Sequence, residues 1–158
     1  MSEGHEKFMR RAMALAQNGI DAMTGGPFGA VVVKGGEIIG EGCNRVTSTN
    51  DPTAHAEIVA IREACRNLNS FQLEGCEIYT SCEPCPMCLG AIYWARPARM
   101  FFACTREDAA NAGFDDDFIY EEIALPPEAR RIETVNFLRE EGLSLFENWV
   151  AKPDKTEY

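Results

Sequence analysis

Apolar positions change period several times along the chain, and each change marks an element. From about His5 to Ala22, Phe8, Ala12, Leu15, Ala16 and Ile20 recur at the one-sided spacing of an amphipathic helix, which Thr24-Gly25-Gly26-Pro27 ends. Ala30–Val33 and Ile38–Cys43 flank the turn Lys34-Gly35-Gly36-Glu37 and predict a β-hairpin. Asp51-Pro52-Thr53 then supplies helix-start chemistry, a capping side chain beside an N-terminal proline, and Ile58, Ile61, Cys65 and Leu68 form the buried stripe of a second helix.

Cys76–Thr80 predicts a strand, Cys85–Ala95 a third helix begun by Pro84 and closed by Pro97, and Met100–Cys104 another strand. Beyond Asp108, Gly113–Tyr120 reads as loop, Ile132–Leu138 as a fifth strand and Ser144–Ala151 as helix. Strands separated by helices predict an α/β fold with parallel pairs and helices packed on the sheet. No internal repeat or low-complexity linker divides the chain, so residues 1–158 read as one domain.

Composition sharpens this picture at three points. A chain of 158 residues, 46% hydrophobic and 25% charged, can build a core and is not of disordered type. No apolar run approaches the roughly 18 residues of a membrane span, and the early acids Glu3 and Glu6 argue against a secretory signal, so a cytoplasmic protein is expected. With 25 acids against 15 bases and a net charge of −10, nucleic acid is a poor candidate partner, whereas a neutral small molecule meets no such penalty.

Seven cysteines is an odd number, and Cys82, Cys85 and Cys88 crowd one segment, which indicates metal ligation rather than a disulfide framework. Cys43, Cys65, Cys76 and Cys104 lie in apolar-patterned segments and are expected as buried small hydrophobes. The chemistry concentrates in His55-Ala56-Glu57 and Pro84-Cys85-Pro86-Met87-Cys88, each at a predicted helix start after a strand and loop. Cys85 and Cys88 share a helix face, and side chains in a first turn lean toward the helix N-terminus, so His55 and Glu57 can reach a point beyond it.

One imidazole and two thiolates suit zinc, and three protein ligands leave a fourth position for water, whose pKa zinc lowers to about 7. Glu57 is then placed to shuttle protons. The pairing of H-x-E with P-C-x-x-C is the known signature of zinc nucleobase deaminases. The competing reading is a closed structural zinc with Cys82 as fourth ligand, hence a non-catalytic zinc-stabilised binding module; structural zinc has no need of a glutamate beside the histidine.

The sequence resembles the cytidine deaminase-like superfamily and, within it, the short bacterial guanine deaminases. The resemblance is carried by Gly26-Pro27-Phe28-Gly29-Ala30, Asn50 through Glu57, Thr80 through Ala95 and Gly113-Phe114-Asp115-Asp116, with Tyr158 at the end. It implies a three-layer α-β-α fold around a central mixed five-stranded sheet, one zinc per subunit, and attack of zinc-bound hydroxide on C2 of guanine to give xanthine and ammonia. It also implies that Phe28 and Trp94 line the flat base, that Asn44 hydrogen-bonds the purine edge, and that Asp116, with Asp115 as its rival, binds ring N–H groups. Tyr158 would close the site from a C-terminal segment swapped between subunits of a homodimer. The apolar helix containing Leu143, Leu145, Phe146, Trp149 and Val150 fits that expectation. Glu83 is expected to be structural. Guanosine, cytosine or adenine deamination are the neighbouring alternatives.

Overall fold

The computed structural model describes residues 3–114 and 116–158, so Asp115, the rival of Asp116, lies outside the described residues. The chain divides into two compact units, Met1–Asp117 and Phe118–Tyr158. In the first unit the helix α1 (Glu3–Asp21) is followed by the hairpin β1 (Gly29–Lys34) and β2 (Glu37–Cys43) and by the short helix α2 (Val46–Thr49). Then come α3 (Ala56–Leu68), β3 (Cys76–Cys82), α4 (Pro86–Ala95), β4 (Arg99–Cys104) and α5 (Arg106–Asn111). The second unit holds most of α6 (Asp117–Ala124), a short 3-10 turn at Pro127–Ala129 and α7 (Arg139–Ala151).

The sheet is mixed, with order β2-β1-β3-β4, β1 antiparallel to both neighbours and β3 parallel to β4. β1 is central, and its valines alternate between two cores because successive side chains point to opposite faces. Ala30 and Val32 pack with Ala60, Ala64, Ile78 and Ile92 beneath α3 and α4. Val31 and Val33 pack with Phe8 and Tyr79 beneath α1. Helices thus cover both faces, as the sequence predicts.

The opposite edges of the strands set up the site. β2 and β3 run against β1, so both end where β1 begins: Gly29 pairs with Cys43 and Ala30 with Thr80. The start of α3 is pinned to that edge because Gly42 has no side chain; a Cβ there would lie 2.2 Å from the Ala56 carbonyl oxygen. Ala56 stands between His55 and Glu57, so this close approach fixes both.

Four expectations are corrected. Among the described residues the sheet has four strands, not five: Ile132–Leu138 is irregular. Its alternation finds no ladder, Ile132, Val135 and Phe137 stay exposed, the Arg131 N–H bonds to Glu122 Oε2 at 2.7 Å, and Leu138 takes a positive φ of 55° that ends any extension. α3 starts at Ala56 rather than near Asp51, whose carboxylate closes a turn by accepting from the N–H and hydroxyl of Thr53. The stretch from Gly113 is not loop throughout, since α6 begins at Asp117. Of the four cysteines expected to be buried only Cys76 is: Cys43 and Cys65 are half-buried, and Cys104 is exposed because it ends the edge strand β4.

At the other end of β3, Tyr79 is fully buried, stacks on Phe101 at 4.7 Å, and donates its hydroxyl to Glu77 at 2.6 Å, while Arg99 pairs with Glu77. These partners, the Tyr79 hydroxyl first, hold the Glu77 carboxyl below the usual carboxylate range. A group depressed in the folded state stabilises above its unfolded pKa and loses that contribution as pH falls through the folded value. Glu77→Gln is therefore expected to cost about 1–2 kcal/mol at neutral pH. In thermal melts the gap from wild type should close below about pH 4; a gap independent of pH would show that the carboxylate charge is not involved.

Candidate metal centre and active site

Both helices that carry the motifs begin with an unusual cap. His55 is the N-cap of α3 and Cys85 the N-cap of α4, each in extended backbone geometry and neither capping its helix with its side chain. That position ordinarily holds Ser, Thr, Asp or Asn, whose oxygen turns back onto the first-turn N–H groups. Here the side chains are released to point outward. Pro86 at N1 starts α4 without needing an N–H, and Cys88 follows in the first turn.

His55, Cys85 and Cys88 converge, their ligand atoms all lying within 4.8 Å of one another. His55 Nδ1 is 3.5 Å from Cys85 Sγ and 3.5 Å from Cys88 Sγ. Ligands at about 2.3 Å for sulfur and about 2.1 Å for nitrogen around one tetrahedral zinc stand about 3.6 Å apart. The spacing and the donor set therefore fit a single zinc ion.

The protonation pattern of the group agrees. Cys85 is held well below the usual thiol range, principally by the Cys88 thiol beside it and then by His55. Cys88 is driven up by its bond to Cys85 and by burial, and His55 is raised by its contact with Cys85. Two sulfurs and an imidazole sharing protons in this way form a cation-binding pocket, and a divalent ion replaces those protons on binding.

Glu57 is 7% exposed, and its Oε2 accepts from Cys88 Sγ at 3.5 Å. Burial pushes its carboxyl above the ordinary range. A carboxyl next to a metal group, desolvated yet not a member of it, is suited to carry a proton rather than to ligate.

Cys82 does not join the group. It ends β3 with its thiol turned to the Thr105 carbonyl oxygen at 3.4 Å, and burial pushes it up to about 11. Among the described residues, the metal-competent set at this site has three members, the number that leaves a coordination position open. Glu83 accepts from the Arg106 N–H at 3.1 Å and so ties its loop to α5.

The other predicted site residues are placed as follows. Asn44 is 5% exposed just past β2; its Oδ1 accepts from the Val46 N–H at 3.1 Å, and its own N–H donates to the Phe28 carbonyl at 3.0 Å. Phe28, immediately before β1, is half-buried at the same sheet edge. Asp116 has an oxygen shielded from solvent, and its charge acts on both His55 and Cys82. Trp94 lies on the last turn of α4, 65% exposed, and Tyr158 is an exposed residue of the second unit.

Two contributors escape a reading of motifs. The buried Ser81 hydroxyl accepts from the Gly29 N–H at 3.0 Å, joining β3 to the start of β1 where ladder pairing stops. Phe114 meets Phe28 in a T-shaped contact with centroids 4.8 Å apart. Its signal was its place in Gly-Phe-Asp-Asp, where the acids draw the attention.

Comparison with known proteins agrees with this geometry. Residues 2–104 match the cytidine and deoxycytidylate deaminase zinc-binding region. The chain is 58% identical to guanine deaminase of Bacillus subtilis over 154 residues, covering 98% of this chain and 99% of that protein. The X-ray structure of guanine deaminase from Bacillus subtilis superposes with a TM-score of 0.96 at 57% identity, over 100% of this chain and 99% of that one. A tRNA-specific adenosine deaminase of Aquifex aeolicus is 45% identical over 100 residues, 63% of this chain and 66% of that protein. Because the matched region runs through both halves of the His/Cys/Cys group, and one relative aligns from end to end, the chain belongs to the cytidine and deoxycytidylate deaminase family of zinc-binding proteins.

Proposed function

We propose that this protein hydrolyses guanine to xanthine and ammonia, with one zinc ion per chain held by His55, Cys85 and Cys88. The observation that carries the reading is the buried Glu57 carboxyl lying against a three-membered metal group, in a chain that aligns throughout with Bacillus subtilis guanine deaminase. When bound, the metal supplies a water activated near neutral pH and stabilises developing negative charge. Glu57 takes one proton of the attacking water and delivers it to the ring nitrogen beside C2, and then carries the second, from the new C2 hydroxyl, to the departing amine. One water is consumed and one ammonia leaves.

Recognition of the base falls to the residues around the sheet edge. Guanine presents both donors and acceptors. The Asn44 Oδ1 accepts from the Val46 N–H and keeps a second lone pair, so Asn44 addresses the purine edge with an amide that can both donate and accept. Asp116, an acceptor only when ionised, takes the ring N–H groups. Phe28 and Trp94 line the faces of the base, and Tyr158 closes a site within a homodimer whose C-terminal segments are exchanged. Each chain is one deaminase domain. Seven free cysteines accord with a cytoplasmic protein, and among the described residues no helix is long and apolar enough to cross a membrane.

A tRNA-specific adenosine deaminase matches 63% of this chain, but a net charge of −10 opposes a phosphate backbone. Incubation with guanine, guanosine, cytosine and adenine, with ammonia measured, tests the substrate. Guanine is expected to give ammonia and xanthine; release from cytosine alone would overturn the assignment.

A further inference from the structure

Phe114 sits in the short segment between α5 and Asp116, and the proposed chemistry leaves it without a role. The exit from α5 is well directed. The N–H groups of Gly113 and Phe114 bond back to the Ala110 and Ala109 carbonyls, both at 3.0 Å, and Gly113 takes a positive φ of 91°. Phe114 therefore leaves the end of α5 at a set angle and meets Phe28 with an interplanar angle of 79°. Offset and T-shaped pairs are the favoured arrangements of two rings, because the positive edge of one faces the negative face of the other.

Gly26 makes this meeting possible. A Cβ at position 26 would lie 2.9 Å from Phe28 Cε2 and 3.0 Å from Phe114 Cε1, so both rings close over a residue with no side chain. Phe28 is also fixed through its backbone: its N–H donates to the Gly26 carbonyl at 2.8 Å, and its carbonyl accepts from the Asn44 N–H at 3.0 Å. One contact thus joins the chain entering β1 to the chain leaving α5.

We propose that Phe114 is a positioning residue of the base site. Its contact with Phe28, admitted by Gly26, holds the Phe28 ring in one orientation. The inference rests on the base-deaminase reading above. An aromatic side chain braced before the substrate arrives has already lost its rotamer freedom, so the benefit falls on substrate binding. The proton transfer assigned to Glu57 is untouched, and the effect belongs in KM.

The test is steady-state kinetics on guanine, with zinc content and Tm recorded for each variant. Phe114→Ala and Gly26→Ala are each expected to raise KM roughly two- to tenfold, the span that an aromatic contact supplies. In both, kcat should stay within about twofold of wild type and zinc should be retained. Phe114→Tyr keeps the ring and should restore KM. Combining Gly26→Ala with Phe114→Leu relieves the added methyl of its contact with Phe114, though not of that with Phe28, and its KM should be lower than the product of the effects of Gly26→Ala and Phe114→Leu measured singly. A lowered Tm with KM unchanged, or strictly multiplicative effects, would reduce Phe114 to packing and overturn the inference. If wild type releases ammonia from another base of the panel but not from guanine, the guanine assignment falls and the variants are scored on that base. If it deaminates none, both readings fall together.

Discussion

Glu57→Gln is expected to lower kcat on guanine by roughly 10²- to 10⁴-fold while the zinc content stays at one ion per chain. Glutamine keeps the shape of the side chain, and Glu57 is not one of the three metal-competent residues, so the metal group loses none of its members. What it loses is the ability to take up and release a proton. The substitution should not weaken the fold. Burial already disfavours the ionised carboxyl here, and a neutral amide of equal volume removes that penalty. The signature is therefore a split: turnover collapses while Tm and zinc stoichiometry hold. Retained turnover would remove Glu57 from proton transfer and return the site to a zinc-stabilised binding module. Loss of zinc would instead make Glu57 a support of the metal.

The parts legible in the sequence were those in which one residue type has one use. His55, Glu57, Cys85 and Cys88 combine a spacing with a chemistry that few other structures need, and the fold gathers all four. The apolar run of β1 between turn signals and the helical spacing of α3 were plain as elements, but the fully buried apolar face of α3 is Ala56, Ala60 and Ala64, while the expected stripe of Ile58, Ile61, Cys65 and Leu68 is only half-buried. Errors came where one signal serves two structures. Asp51 has the oxygen that caps a helix, yet the same oxygen closes a turn on Thr53, and the helix starts only at Ala56.

The missing fifth strand has a different cause. Ile132, Val135 and Phe137 have strand-forming side chains, but a strand exists only with a neighbour to complete its hydrogen bonds, and that neighbour is not written in the segment. Cys104 failed for a related reason: its apolar surroundings in sequence do not say that β4 is an edge. The residues proposed to bind the base were legible only through resemblance. Nothing local to Asn44 or Phe28 reveals that β2 and β3 end where β1 begins; that is a property of strand order. The Phe28–Phe114 contact, joining positions far apart in the chain, was invisible for the same reason.

The second large effect concerns the metal itself. Cys88→Ala is expected to abolish stoichiometric zinc binding and all measurable ammonia release, and to lower Tm, while Cys82→Ala retains zinc. Cys88 is completely buried, and its sulfur touches both His55 and Glu57. Removing only an outer hydrogen-bond partner of a metal ligand costs roughly 10–100-fold in affinity, and removing the ligand itself costs more, since two donors cannot hold a tetrahedral ion. The fall in Tm follows by linkage, because an ion that binds only the folded chain adds its binding free energy to stability. Chelation of wild type should lower Tm likewise, and added zinc should restore wild type but not Cys88→Ala. Cys82 is the control because its thiol bonds to the Thr105 carbonyl instead of the metal group. Should Cys82→Ala also release zinc, the ion has four protein ligands, no water can reach it, and hydrolysis at this site is excluded.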